Sequence, residues 1–398
     1  MSDLQRNFLR HLAQTSGAPI GLEIERAEGS WLYCSGGERY LDFISGIGVS
    51  NLGHGNSEVL GAIEQQAKRH LHVMVYGEYV QGAQVELATQ LASVLPPSLG
   101  RIYLTNSGTE AIEGALKVAR KYTGRPGFVA FDGCYHGDTT GAMALGGNPV
   151  FRNPFGTLIG PVRHLPYGEV RFLNLIDDSI AAVVIEPIQA EGGVRIPSLD
   201  FVVGLRRRCD EVGATLVFDE VLTGLGRTGR LFGFEHFGVV PDLIVLAKAL
   251  GGGLPLGAFC GSDQQIGTLA RNPALGHITT FGGHPLSCAA GLAALNVTVR
   301  EKLWERAALQ GAKIVALLRE AVAEPVIAVR GIGLLIGIEF RESALAQAFV
   351  ARTIERGVVV NWTLNAERVV RLAPPLTIGD EEIQFALRAM GQALRELR

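Results

Sequence analysis

No run of about 18 uninterrupted apolar residues occurs in the sequence, which leaves no segment suited to crossing a bilayer as a helix. The opening residues, MSDLQRNFLRHLAQTSGAPIG, lack the apolar core of a secretory leader. Cysteine is sparse, with five residues (Cys34, Cys134, Cys209, Cys260, Cys288), odd in number and never spaced as CxxC. That pattern excludes a disulfide framework and a thiolate metal site, and it fits buried thiols in a reducing, cytoplasmic compartment. A charge bias is missing too. The formal net charge is −3, so a broad basic surface for nucleic acid is not expected. The one basic run, Arg206-Arg207-Arg208, reads as a solvated helix face. Low-complexity linkers, internal repeats and charge blocks are also absent, so the parts of the chain are expected to pack tightly.

What is present is glycine, 51 residues of it, in runs that punctuate short apolar segments. This is the texture of an α/β protein with tight crossovers. At 398 residues the chain exceeds one compact core, and two cooperating domains are expected. Apolar runs at 101–105, 128–131, 182–185, 215–218, 243–246 and 256–260 predict strands, with helical periodicity between several of them, as at 109–122 and 199–212. Strands without polar alternation are buried on both faces, which predicts a largely parallel sheet covered by helices. Near Pro285 the pattern changes to helices over 286–298 and 301–323. A small α+β unit follows, with strands at 326–329, 334–340, 358–361 and 369–372, a helix over 344–355, and a closing helix from Glu381. The expected division is an N-terminal segment, 1–45, packing with the small domain; a large domain, 46–290; and a small C-terminal α+β domain, 291–398.

Lysine is the scarce residue that matters. Of six, only Lys248 ends an apolar strand-like run (Leu243-Ile-Val-Leu-Ala-Lys) and precedes Gly251-Gly252-Gly253. An amine fixed there loses solvation, which lowers its pKa and makes it a nucleophile toward aldehydes; the plainer alternative is a lysine snorkelling to water. Asp219 ends another apolar run, 29 residues earlier, about one strand–crossover–strand unit. Adjacent parallel strands deliver their C-terminal residues to one crevice, where an aspartate either pairs with a protonated ring nitrogen or merely caps a turn. Ser107-Gly108-Thr109-Glu110 opens a helix after a strand, which suits either a phosphate dianion or simple capping. Tyr135, beyond a further strand, is either a stacking aromatic or a packed one. Gly224-Leu225-Gly226-Arg227-Thr228-Gly229 fits GxGxxG, with Asp242 downstream. The dinucleotide fingerprint, however, needs its last glycine inside an opening helix, and the glycine-broken, aromatic continuation has no helical period. A nicotinamide-dependent dehydrogenase is therefore disfavoured.

Taken together, these stretches resemble the class III (ornithine/acetylornithine-like) aminotransferases, fold type I of the pyridoxal-phosphate enzymes. The matches run from Leu41-Asp-Phe through Ser107-Gly-Thr-Glu-Ala, Tyr135-His-Gly and Ile185-Glu-Pro-Ile-Gln-Ala-Glu-Gly-Gly. They continue with Phe218-Asp-Glu-Val-Leu-Thr-Gly-Leu-Gly-Arg-Thr-Gly, Pro241-Asp-Leu, Leu246-Ala-Lys-Ala-Leu-Gly-Gly-Gly, His277-Ile-Thr-Thr-Phe-Gly-Gly, Val329-Arg-Gly-Ile-Gly and Arg371-Leu-Ala-Pro-Pro-Leu. The resemblance implies pyridoxal 5'-phosphate as cofactor. Lys248 matches its covalent anchor, Asp219 the partner of its ring nitrogen, and Ser107, Gly108 and Thr109 its phosphate cup. Tyr135 matches the stacking aromatic, Val221 the residue on the opposite ring face, and Glu186 an acid beside the ring. Thr280 matches a phosphate ligand supplied by the other subunit, which implies a homodimer with shared sites. Arg371 matches the clamp for a substrate carboxylate, and Glu191 the glutamate that occupies that arginine otherwise.

Three positions depart from the ornithine-like pattern. Leu222 replaces a glutamine near the cofactor's phenolic oxygen, His284 an asparagine, and Asp138 an arginine that meets a second substrate carboxylate. Other class III members, the diaminopelargonate-type enzymes among them, carry Tyr-His-Gly-Asp. The expected activity is amino transfer between an amine or amino acid and an oxo acid. A decarboxylase or aminomutase of the same fold is the alternative, since either would share every cofactor contact. Asp138 itself reads in two ways, as a pocket residue that repels a second carboxylate or as the cap of the helix beginning near Thr139.

Overall fold

The computed structural model describes residues 1–321 and 324–397. Its strands, in chain order, begin with β1 (Ile24–Glu28), β2 (Trp31–Cys34) and β3 (Arg39–Asp42). The central set is β4 (Arg101–Thr105), β5 (Gly127–Phe131), β6 (Val162–Leu165), β7 (Ile180–Ile185), β8 (Thr215–Asp219), β9 (Leu243–Leu246) and β10 (Gly257–Gly261). The C-terminal set is β11 (Val326–Ile332), β12 (Leu335–Phe340), β13 (Val358–Val359), β14 (Asn361–Trp362) and β15 (Val369–Leu372).

The central strands form one seven-stranded sheet in the order β4-β10-β9-β8-β7-β5-β6. Every residue of β5, β7, β8, β9 and β10 is buried, which is why those segments read as unbroken apolar runs. Two buried clusters cover the two faces, one including Phe131, Phe201 and Phe218, the other Ile112, Phe128 and Phe259. Helices flank the sheet. The one over Gly108–Thr123 is capped by the Ser107 hydroxyl and stops at Gly124, whose φ of 72° is the left-handed conformation of a helix end. Leu199–Val212 is built the same way, between Ser198 and Gly213.

The α/β expectation of a mostly parallel sheet holds, with two refinements. β10 runs antiparallel to both neighbours, β9 and β4. Residues 247–256 are too few for a covering crossover helix, so the chain can only turn back beside β9. The edge strand β6 was not expected, because Arg163 and His164 interrupt its apolar character. Near the C-terminus the helices are Pro285–Arg300 and Leu303–Ala321; Val322 and Ala323, the last two of the expected helix, lie outside the described residues, as does Arg398.

The predicted strand at 358–361 divides between two sheets. Val358 and Val359 pair in parallel with Leu41 and Asp42 of β3, whereas Asn361 and Trp362 pair with β15. A C-terminal sheet, β11-β12-β15-β14, is antiparallel throughout. Its core draws Leu41 and Phe43 from the beginning of the chain together with Ile336, Phe340, Phe349, Val370 and Ile383.

Candidate active site

The parallel strands β5, β7, β8 and β9 end on the same edge of the central sheet, and the residues just past their ends surround one pocket of about 680 Å³. It is lined by Ser107, Gly108, Thr109, Tyr135, Asp138, Glu186, Glu191, Asp219, Val221 and Lys248, which brings together all but Arg371 and Thr280 of the residues to which the family resemblance gives a role. Arg371, on β15, lies directly behind Glu191 and is ion-paired to it. Thr280 is exposed and does not line the pocket of its own chain.

Asp219 closes β8 and is held from two sides. Its Oδ1 accepts from the Val221 N–H at 3.0 Å, and its Oδ2 lies 2.7 Å from His136 Nδ1. His136 is fully enclosed, and its other ring nitrogen, Nε2, has no partner among the described residues. Burial opposes charge on that ring, but Cys134 and the hydrogen bond to Asp219 outweigh it and hold its pKa well above the ordinary histidine value. In the sequence His136 stands out only as the middle of Tyr135-His-Gly. The signal that it matters is its position, directly after Tyr135 and five residues past the end of β5.

Lys248 follows β9 with a φ of 49°, a left-handed conformation that a lysine adopts at a cost of about 1–3 kcal/mol. Burial lowers its pKa; Asp219 pulls the other way, Arg371 adds to the lowering, and Glu191 and Glu186 oppose it. Glu186, past β7, accepts from the N–H groups of Tyr135 at 3.1 Å and Ala190 at 2.9 Å, and burial pushes its carboxyl up to about 7.

Opposite them the helix over Gly108–Thr123 begins. Its first-turn N–H groups have no intrahelical acceptor, and its positive end faces the pocket. The Ser107 hydroxyl accepts from Glu110 N–H at 3.3 Å, and Thr109 Oγ1 meets Thr139 Oγ1 at 2.7 Å. A Cβ on Gly108 would press on Val221 at 3.0 Å, so glycine lets the helix start approach that wall closely. These features suit a phosphorylated aromatic aldehyde: a helix N-terminus for the phosphate, a buried carboxylate for a ring nitrogen, an amine for the aldehyde, and two flanking walls.

The three departures acquire surroundings. Leu222 is buried in an apolar cluster with Ile188, Ala190, Val194 and Leu335 while lining the pocket. His284 stacks on His72, centroids 5.7 Å apart, outside the pocket. Asp138 caps no helix: Thr139 is the cap residue and forms no side-chain cap bond, while Asp138 Oδ2 accepts from the Tyr135 hydroxyl at 2.7 Å. Burial and then Asp138 raise the Tyr135 pKa, so the phenol stays protonated and donating.

A tight turn absent from the sequence reading sits beside Lys248. Ser45, Gly46, Ile47 and Gly48 all have positive φ, between 49° and 73°. The turn is fastened by Asp42 Oδ1, which accepts from the Ile44 and Ser45 N–H groups, and by Ser45 Oγ, which donates to the Ala373 carbonyl at 2.8 Å. Gly48 lies so close to the Leu222 side chain that a Cβ there would collide with it.

Arg371 is 1% exposed, and Glu191 is the carboxylate that pairs with it, its other oxygen accepting from Leu364 N–H at 2.8 Å. Burial opposes the charge of Glu191, but Arg371 and these bonds hold its pKa below the ordinary 4.5. We therefore expect Glu191→Gln to cost about 3–5 kcal/mol at neutral pH by leaving a buried guanidinium unpaired. Because the folded-state pKa is depressed, the pair's contribution is complete above about 4.5 and is lost as pH falls through the folded value, so the gap between variant and parent closes in acid. Urea melts of both proteins at neutral pH and at pH about 3 measure it; a gap that does not change with pH would contradict the assignment.

Residues 12–394 match the family profile of the class III aminotransferases. The chain is 40% identical to a putrescine aminotransferase of Pectobacterium atrosepticum, over 96% of its own length and 84% of that enzyme. It is 42% identical to an acetylornithine aminotransferase of Methanopyrus kandleri, over 97% of each. Its fold superposes on the ornithine aminotransferase of Toxoplasma gondii with a TM-score of 0.92 at 30% identity, covering 99% of this chain and 94% of that one. A transaminase from the marine bacterium Virgibacillus gives 0.93 at 26% identity, covering 100% and 99%. From the strand-end lysine and aspartate to the helix that faces them, the geometry and these likenesses agree: the chain belongs to the class III aminotransferases, enzymes that move amino groups with pyridoxal phosphate.

Proposed function

We propose that Lys248 holds the cofactor covalently and carries the substrate proton, and that Asp219 keeps the cofactor's ring nitrogen protonated. The observation that supports this most is the pocket itself, where one lysine is enclosed with Asp219, Glu186 and Glu191 opposite a helix N-terminus. When bound, the cofactor supplies the aldehyde that takes the amino group and the electron-poor ring that accepts charge from the substrate carbon. The residues do the rest. Ser107, Gly108 and Thr109 bind the phosphate. The Ser107 hydroxyl is well suited, since it accepts from Glu110 and so keeps its own proton free to donate. Tyr135 and Val221 flank the ring, and Glu186 is fixed by two backbone donors at its edge. His136 orients Asp219 and, as an imidazolium, favours its ionised form. Lys248 Nζ, its pKa lowered by burial, would take the proton from the amino-bearing carbon and hand it, within the same half of the cycle, to the carbon that the cofactor's aldehyde contributed; the second half would run this transfer in reverse. Arg371 receives a substrate carboxylate when Glu191 releases it.

We read the division of the chain as 1–45, 46–290 and 291–398, supported by the packing of Leu41 and Phe43 in the C-terminal core. The five unpaired cysteines favour a cytoplasmic enzyme. A homodimer is supported by Thr280, which is exposed beside two further exposed apolar residues, Ile278 and Phe281.

Asp138 bears on substrate choice. It lines the pocket and carries a negative charge where the ornithine-like pattern has an arginine, so a second substrate carboxylate at contact distance is repelled by about 1–4 kcal/mol. Pyruvate or alanine is then a better partner than a dicarboxylate, and a donor with a distal amine or hydroxyl gains an acceptor. The putrescine aminotransferase relative fits that donor class.

Three measurements test these assignments. Lys248→Ala abolishes turnover, and borohydride no longer fixes the cofactor to the chain; fixation on another lysine would overturn the anchor. Refolding Lys248→Ala with a Thr280→Ala chain regains activity, because one site of the mixed dimer then carries neither lesion; no recovery would mean that Thr280 serves its own chain or none. Asp138→Arg shifts the kcat/KM ratio of 2-oxoglutarate to pyruvate upward about tenfold, or roughly 1.4 kcal/mol. An unchanged ratio would remove Asp138 from substrate recognition.

A further inference from the structure

The GxGxxG segment, Gly224 to Gly229, opens no α-helix, only a 3-10 turn at Gly233–His236 following it, and a different use for it emerges from its contacts. Gly226, with φ 95°, lies against Leu376 and the Trp304 backbone, and Gly229, with φ 87°, lies on Ala308. Both glycines thus meet residues of the C-terminal core and its helices rather than a phosphate. Between them Arg227 is 0% exposed and has no ion pair among the described residues. Its Nη1 donates to the carbonyls of Leu334 at 3.0 Å and Pro374 at 2.5 Å, and its Nη2 donates to Asn51 Oδ1 at 2.6 Å. Asn51 ties the same place together: its Nδ2 donates to the Leu225 carbonyl at 3.0 Å, and its carbonyl accepts from Leu376 N–H at 2.8 Å.

A guanidinium buried without a carboxylate costs several kcal/mol, so a plain packing role would favour an apolar residue of the same volume. Three acceptors from three segments converge on two nitrogens of one planar fork, a geometry an ammonium cannot satisfy. What the fork fixes is the turn after β15, and Arg371 stands three residues before Pro374 on that strand. Burial, then the like charge of Arg371, lowers the Arg227 pKa, while Asp42 opposes this. The guanidinium remains protonated at neutral pH, so a second buried positive charge lies near that of Arg371, partly offset by Asp42.

We propose that Arg227 is a positioning residue for carboxylate recognition: by fixing Pro374 and Asn51 it sets the place of Arg371. This rests on the reading of Arg371 as the carboxylate clamp.

The test compares Arg227→Lys, Asn51→Ala and Arg371→Gln as holoenzymes. Propionate, a carboxylate without an amine, is titrated by calorimetry, and first-half reactions with N-acetylornithine and with putrescine, which has no carboxylate, are followed by cofactor absorbance. Arg227→Lys keeps the charge and loses the fork. Its propionate Kd weakens about tenfold, and its kcat/KM for N-acetylornithine falls about tenfold further than that for putrescine. Asn51→Ala shows the same selective loss, smaller in size, and decides the matter should Arg227→Lys not fold. Propionate binding decides should neither donor react. If Arg371→Gln weakens propionate while the other two variants bind it normally, or lose both donors equally, the inference about Arg227 is overturned and the clamp stands. If Arg371→Gln binds propionate as the parent does, the clamp reading fails and the inference falls with it.

Discussion

The site turns on a single electrostatic compromise, the enclosure of an amine among carboxylates. Lys248 loses solvation in the pocket, which favours its neutral, nucleophilic form, while Asp219, Glu191 and Glu186 pull it back toward charge. Burial carries the larger weight, and the carboxylates are each restrained. Glu191 is occupied by Arg371, Asp219 by His136, and Glu186 is itself pushed up to about 7 by burial. Each carboxylate has its own restraint, and each restraint comes from a different element of the fold. Such a balance needs a rigid frame, and parallel strands buried on both faces provide one.

The second dependence is on how two cores meet. Glu191 follows β7 of the central sheet, whereas Arg371 belongs to β15 of the C-terminal sheet, so their ion pair crosses from one hydrophobic core to the other. Arg227 and Asn51 cross at the same boundary, and the left-handed turn at Ser45–Gly48 is bonded over it to Ala373. Polar groups buried at a boundary specify one arrangement, because any slip would strand several of them without partners.

Much of this was legible in the sequence, for particular reasons. Lys248 and Asp219 could be placed together because each ends an apolar run, and neighbouring parallel strands share an edge. The helix start at Ser107-Gly108-Thr109 was legible from its capping residues. The antiparallel direction of β10 was not, since apolar runs carry no direction; it follows from the length of 247–256. β6 escaped notice because an edge strand tolerates Arg163 and His164. Asp138 left two readings open, and side-chain geometry removes only the capping one, since Thr139 is the cap residue and Asp138 bonds to Tyr135 instead. A left-handed turn containing Ile47 contradicts that residue's own preference and is held by a local bond to Asp42 and a long-range one to Ala373. Arg227 was visible only as the variable position of an apparent nucleotide motif. Whether Thr280 serves a partner depends on a second chain, which a single sequence does not display.

The reversed strand β10 has a consequence best put as dimensional tolerance. Ala258 pairs with Leu246 of β9 on one side and with Leu104 of β4 on the other. Lys248 lies two residues beyond the first of these partners, and the Ser107 cap three beyond the second. Gly257, the next rung, sits against the Ser107 carbonyl so closely that a side chain would collide with it. The amine and the helix start that faces it are thus both gauged from one rung of the ladder, like two holes drilled from a common datum. Errors elsewhere in a chain of this size therefore do not accumulate between them.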